Sequence, residues 1–225
     1  MSKIKKKISQ TCDQVYRQTG KFYRSIRTNL KKANADRSYK ILYAPPVYRP
    51  DILFLGYQPG YRPGKGKNRI VKPQATWPKK SEYASKNWTL AKKLRKIFRQ
   101  NQLSSCAGLN LIFFRARTVK AWKKVNKPLR GKIEKFCLRK VKKLVKELNP
   151  KRIVVIGLET KDKLQKQHAF GKVRKPIKGN PSNRVLAVKG NLWNVPACAV
   201  VHLTGARISK TNFAKVRKVL RKFVK

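Results

Sequence analysis

Two short segments combine residue types that can do chemistry with a setting that can hold them. One is Gly56-Tyr57-Gln58-Pro59-Gly60, the other His202-Leu203-Thr204-Gly205-Ala206-Arg207. Each follows an apolar run, Ile52-Leu53-Phe54-Leu55 and Ala197 to Val201, that reads as a buried strand. In the first, Gly and then Pro-Gly stop the chain from running straight into a helix. Glycines there let backbone N–H groups come close to a phosphate or a base. Gln58 cannot take a proton at neutral pH, but its amide oxygen can orient a water. His202 can donate to an atom on which negative charge develops, and in so basic a chain its pKa is expected to fall. Small-residue loops at the carboxyl ends of core strands are where α/β sheets build ligand sites, so the two segments can share one pocket.

The elements that must position them follow from periodicity. Leu109 to Phe114 reads as a second strand, and it carries Asn110, a polar residue that needs a partner if buried. Ile153 to Ile156 is continuous and β-branched, as parallel core strands are. Trp88, Ala91, Leu94, Ile97 and Phe98 mark one helical face. A longer stripe, from Ile133 through Phe136, Cys137, Val141, Leu144 and Val145 to Leu148, is stopped by Asn149-Pro150. Gln10 to Ala35 reads as an accessory helix. Pro176 to Pro181 reads as loop, and Arg184–Val188 and Ala197–His202 as strands about a Lys189-Gly190-Asn191 turn. Asn212 is expected to cap a last helix with Phe213, Val216, Val219, Leu220 and Phe223 inward. Tyr61 to Trp77 is a long Gly/Pro-rich loop, and a loop of that length inside a compact domain is functional or unstructured. Strands alternating with helices argue for an α/β fold: three αβα layers around a central four-stranded parallel sheet.

Composition sets the bounds. With 225 residues and 40% hydrophobic content the chain can bury one sizeable core. Fifty-nine Lys+Arg stand against 8 Asp+Glu, a formal charge of +51. Such a field points to a polyanion partner, nucleic acid first. The charge is spread over every segment, so a blanket replacement of surface acids by lysine is an equally open reading. Cys12, Cys106, Cys137 and Cys198 form no C-x-x-C and read as buried thiols of a reducing compartment. The basic start, residues 1–7, lacks an apolar h-region and reads as a solvated tail rather than a secretory signal. A cytoplasmic protein without membrane spans is expected.

The ordered set of segments resembles the uracil-DNA glycosylase superfamily. That family carries a G-x-[D/N/A]-P-[G/Y] motif after its first core strand, similar to Gly56–Gly60. It carries an H-P-S or N-P-S motif after its last, similar to His202–Thr204. Asn87-Trp88-Thr89-Leu90, Leu109–Arg115, Cys137-Leu138 and Leu148–Gly157 are similar to the intervening helices and strands. The likeness runs from about Tyr39 to Ser209, which divides the chain into a basic amino-terminal arm with its helix, 1–38, and a glycosylase-like domain, 39–225. It implies base excision from DNA by a monomer without metal or organic cofactor. Gln58 would position the water and His202 would donate to the base carbonyl. Asn110 would read the N3–H and O4 edge of uracil. Trp77, or Tyr83 instead, would stack on the base. Gly56, Tyr57, Pro59, Gly60, Thr204 and Gly205 would line the pocket, with Ala206 and Arg207 on the DNA. The chain departs from the family at Gln58, at Leu203-Thr204 and at Ala206, where Leu is common and where Ala cannot wedge a duplex open. Cys137 stands where an iron–sulfur branch has a ligand, but that branch's paired amino-terminal ligands are missing. Other readings remain: a glycosylase-fold protein that binds nucleic acid without catalysis, and, on charge alone, a ribosomal-type RNA-binding protein. At +51 the chain is expected to bind RNA non-specifically as well.

Overall fold

The computed structural model describes residues 2–33, 35, 38–60, 72–116, 119–181, 183–204 and 208–225. Helix α1 (Lys3–Lys32) begins at an N-cap, Ser2, whose hydroxyl accepts from the Lys5 N–H. The basic start is therefore helical from Lys3. Lysine is a good helix former, and Ile8 anchors the next turn in the core. Cys12, Val15, Tyr16, Thr19, Tyr23, Ile26 and Leu30 continue the buried stripe at helical spacing. After β1 (Leu53–Gly56) come α2 (Glu82–Ser85), α3 (Thr89–Arg95), α4 (Gln100–Ser104) and β2 (Ala107–Asn110). Then follow α5 (Val119–Lys123), α6 (Lys127–Leu148), β3 (Ile153–Ile156) and α7 (Leu158–Lys166). Short strands β4 (Phe170–Gly171) and β5 (Ile177–Lys178) precede the hairpin of β6 (Val185–Leu192) and β7 (Val195–Val200), and α8 (Lys210–Phe223) closes the chain.

The fold is α/β, but the sheet is not the expected four parallel strands. It is mixed, with seven strands in the order β2-β1-β3-β7-β6-β4 and β5 also paired to β6. The pairs β2–β1, β1–β3 and β3–β7 are parallel, whereas β6 runs antiparallel to β7, β4 and β5. The extension comes from a hairpin placed later than its glycine suggests. Lys189-Gly190-Asn191 stays in β6, where a Cβ on Gly190 would lie 2.6 Å from the Gly171 carbonyl oxygen. The turn is Trp193-Asn194, both left-handed at φ +49° and +68°. Two such residues match the twist of the flanking strands. Ile177–Lys178, expected as loop, pairs with β6.

Side-chain alternation along the strands builds a core on each face of the sheet. Leu53, Leu55, Leu109, Ile153 and Val155 pack with α1 and α6. Ile52, Phe54, Val154, Ile156 and Val200 pack with Tyr83, Leu94, Val216 and Leu220 from α2, α3 and α8. α6 ends where expected, with Asn149 left-handed at φ +47°. α8 is capped by Ser209, which accepts from the Asn212 N–H. Asn212 lies within the first turn and instead clamps Asn180 through both its amide atoms, at 3.3 and 3.2 Å. All four cysteines are buried free thiols, and no helix among the described residues is long and apolar enough to cross a membrane.

Candidate active site at the strand ends

Parallel register brings the ends of four strands to one edge of the sheet. Gly56 lies opposite Asn110, Leu55 opposite Val155, and Ile156 opposite Val200. The residues that follow, Gln58, Gly157 and His202, therefore emerge on the same side as Asn110. Neighbouring strands are about 4.8 Å apart, so three steps separate Asn110 from His202 by roughly 14 Å at the backbone. No direct hydrogen bond spans that distance. β2 ends at Asn110 rather than at Phe114, which puts this side chain at the edge instead of inside the sheet. Beyond it the Leu111 and Ile112 N–H groups donate to the Gly56 and Tyr57 carbonyls, each at 2.8 Å.

Asn110 is 5% exposed and donates through Nδ2 to the Tyr43 hydroxyl at 2.8 Å. A Cβ on Gly56 would sit 2.5 Å from Asn110 Oδ1, so the glycine is needed for the amide to lie across the end of β1. Behind Asn110 the rings of Tyr43, Tyr83 and Trp88 gather, with centroids 5.6–5.7 Å apart. Tyr83 packs against Gly108, where an added Cβ would lie 2.3 Å from its ring. Burial pushes the Tyr43 hydroxyl up to about 12 against the opposing pull of Arg115 and the Asn110 bond. The Lys40 ammonium lies 4.4 Å from the centre of the Tyr43 ring and 2.5 and 2.6 Å from the two Glu82 oxygens. Its pKa is lowered, because burial outweighs the attraction of Glu82 and the cations Arg115 and Lys86 add to the shift. Arg115 Nη1 in turn holds the Gly60 carbonyl at 2.7 Å and so ties the far end of the first motif to this cluster.

The first motif is half-buried. Gln58 Oε1 is shielded from solvent and has no hydrogen-bond partner among the described residues, while Pro59 is buried and Gly60 faces open space. Tyr57 lies with Lys163 Nζ 5.2 Å from its ring centre, and Lys163 bonds Glu134 at 2.7 Å. Burial raises the Tyr57 pKa. Burial also acts to lower that of Lys163, but its bonds to Glu134 and Tyr57 prevail and the net shift is upward. Glu134 and Lys163, with Leu111 and Ile112, line a cavity of about 130 Å³ beside Tyr57.

His202 follows β7 and stays exposed, anchored by its fully buried neighbour Leu203. Thr204 closes on it, with Oγ1 2.9 Å and the backbone N–H 3.4 Å from Nδ1. A backbone N–H can only donate, so Nδ1 accepts and the ring proton belongs on Nε2. The pKa is lowered, in the expected direction, but the cause is loss of water around the packed strand ends rather than the basic field. The neutral form therefore prevails at pH 7. Gly157, at φ +99°, occupies the end of β3 beside it, where a Cβ would be 3.9 Å from His202 Cδ2.

The structure thus brings Gly56, Tyr57, Gln58, Pro59, Gly60, Asn110, His202 and Thr204 to one edge. Trp77 is elsewhere: its ring meets Tyr16 of α1 edge-on at 6.1 Å, and it lines a different cavity. Tyr83 is the aromatic that stands in the Asn110 cluster. Gly205, Ala206 and Arg207 lie outside the described residues. Tyr43, Lys40, Glu82, Arg115, Lys163 and Glu134 were not singled out from the sequence. Scarcity was the available signal: with 8 acids in the chain, each carboxylate is informative, and Glu82 and Glu134 flank the site in half-buried pairs. No group of three or more metal-ligating side chains occurs among the described residues. Comparison with protein-family models gives no match, and no curated protein matches the chain.

Proposed function

We propose that the chain is a DNA base-excision glycosylase that hydrolyses the N-glycosidic bond of uracil or a related deaminated base, in a uracil-DNA glycosylase-like fold without a cofactor. The observation that carries the reading is the shared register that delivers Gln58, Asn110 and His202 to one sheet edge. A flipped base has to be held by its edge while the bond to the sugar breaks. Asn110, fixed by Tyr43, presents an amide to that edge. His202, neutral and protonated on Nε2, donates to the carbonyl oxygen that gains charge as the base leaves with the bonding electrons. Gln58 Oε1 has an acceptor to spare for the incoming water, whose oxygen bonds to the sugar carbon and whose proton is lost to solvent. Four buried free thiols fit an intracellular setting.

A second reading, a glycosylase-fold nucleic-acid-binding protein without catalysis, draws on two observations. Gln58 Oε1 is shielded from solvent, and the nearest preceding acid, Asp51, is engaged by Lys151 at 2.8 Å. The two glutamates that flank the site, Glu82 and Glu134, are likewise engaged by Lys40 and Lys163, which leaves no unpaired carboxylate among these described neighbours to support the sugar cation. An oligonucleotide with one uracil, incubated with the protein and treated with alkali, separates the two. Strand scission at the uracil is expected, faster in single strands than in matched duplex. An intact strand under single-turnover conditions leaves the binding protein.

A further inference from the structure

A second surface answers to nucleic acid in a different way. Between the start of α1 and residues 45–48 runs a groove of about 600 Å³, within the range of small-ligand sites. Three large hydrophobic residues are exposed among the described ones, and two of them, Ile4 (48%) and Tyr48 (41%), line this groove. Trp77 forms another wall, braced from behind by Tyr16. Pro45 and Pro46 add two pyrrolidine rings to the lining. The charge is one-sided: Lys5 is in the lining, no carboxylate is, and the first turn of α1 holds no acid. Exposed Lys3, Lys6, Arg49, Lys79 and Lys80 adjoin it in sequence.

We propose that this groove binds single-stranded nucleic acid, with bases stacked on Tyr48 and Trp77 and phosphates drawn to the lysines of the first turn of α1. Exposed rings cost apolar hydration unless something flat covers them, and every base has a π-face that needs no hydrogen-bond partner. Phosphates need only cations, which the rim supplies. A peptide backbone asks for a row of donors and acceptors, whereas the lining offers three hydroxyls, those of Ser2, Ser9 and Tyr48, and Ser2 already caps α1. The α1 part of the lining, residues 2–9, rises roughly 10 Å, which matches two to three bases at the ~3.4 Å spacing of a stacked strand. The groove shares none of its lining with the strand-end site, so the strand would be gripped at two places.

Because the net charge will hold any polyanion, the test has to isolate stacking. Fluorescence anisotropy compares labelled oligothymidylate with an equally long abasic sugar-phosphate polymer over a range of salt. The natural chain is expected to prefer oligothymidylate about tenfold. Tyr48→Ala and Trp77→Leu are expected to remove most of that preference without changing the salt slope, while Tyr48→Phe and Trp77→Phe keep it. Tyr48→Ala carries the test should Trp77→Leu fail to fold. Equal affinity for the two polymers overturns the proposal, as does a preference that survives Tyr48→Ala. A preference lost in Asn110→Ala but kept in Tyr48→Ala places the stacking at the strand ends and overturns it too. Displacement of the oligonucleotide by an acidic leucine-rich peptide, dependent on Tyr48 and without base preference, assigns the groove to a protein partner. Uracil excision is read separately, so its absence does not bear on the groove.

Discussion

The two ends of the strand-end edge are built to different standards. Around Asn110 everything is enclosed: the amide is bonded to Tyr43, three aromatic rings stand behind it, and Lys40–Glu82 closes the floor with side chains 12% and 17% exposed. Around His202 less is enclosed: the residue keeps an exposed face although the packed strand ends take water from part of its ring, and Thr204 supplies the bonds to that ring. A group that reads shape gains from a wall that cannot move. A group that donates to developing charge gains from a free, correctly protonated nitrogen. The same division separates stability from rate, and the variants below are chosen to break it.

The largest effect is expected at the open end. His202→Ala should lower the single-turnover excision rate by about 10²–10³, with little change in melting temperature, because an exposed side chain supports little packing. A rate equal to that of the natural chain would remove His202 from the chemistry. At the enclosed end the expectation reverses. Gly56→Ala should destabilise by about 1–3 kcal/mol, since the new methyl meets Asn110 Oδ1 at 2.5 Å. In an Asn110→Ala background the same change should cost much less. Additive losses in denaturant titrations would show that the crowding lies elsewhere.

Next in size are the two half-buried lysines, each paired with a glutamate and set over a tyrosine. Lys40→Met should destabilise by about 2 kcal/mol, less than a fully buried pair would, because Glu82 is left without its partner. Lys40→Met with Glu82→Gln should recover most of that. Their pH behaviour should differ in sign. Lys40 has a folded pKa below its ordinary 10.5, so between the two values the unfolded chain holds more protons and this residue makes stability rise with pH. Lys163 has a folded pKa above 10.5, so its contribution is full below 10.5 and is lost as pH rises through the folded value. Stability measured from pH 9 to 12 should lose its rise in Lys40→Met and its fall in Lys163→Met. Equal slopes in both variants would mean that the two environments do not differ.

Gln58 lies between the two ends and tests which it belongs to. Its buried, unpartnered Oε1 should make Gln58→Leu more stable by about 1 kcal/mol, yet without excision activity if the amide positions water. Gln58→Asn, with a shorter reach, should raise the rate. A Gln58→Leu protein that is less stable and still active would make this residue a brace of the turn. The smallest contrast is that of salt. The folded chain carries one net positive charge per about 260 Å² of surface, a mean spacing of roughly 16 Å, twice the ~8 Å screening length. The melting temperature should rise modestly from low to physiological ionic strength while DNA affinity falls steeply. A melting temperature independent of salt would show that the excess cations lie too far apart for their repulsion to bear on the fold.

Local pattern was enough for much of this molecule. The β-branched run Ile153–Ile156 is β3 without adjustment, and the stripe from Ile133 to Leu148 is α6 up to its Asn149-Pro150 stop, because periodicity and chain-breaking residues are properties of neighbours in sequence. The glycine that ends β1 and the histidine after β7 were legible for the same reason: each sits where an apolar run ends. What sequence could not supply was decided between segments far apart in the chain. The hairpin turn went to Trp193-Asn194 because Gly190 was needed for the close approach of Gly171, a contact across strands. The basic start became helix because Ile8 found a core. Trp77 left the strand ends because Tyr16, on α1, offered it an edge-on contact. Asn110 acquired its partner from Tyr43, 67 positions earlier. Propensity and pattern act over one or two turns of chain, whereas the partners of a buried polar or aromatic group are set by which surfaces the sheet brings together, and only the packed fold determines that.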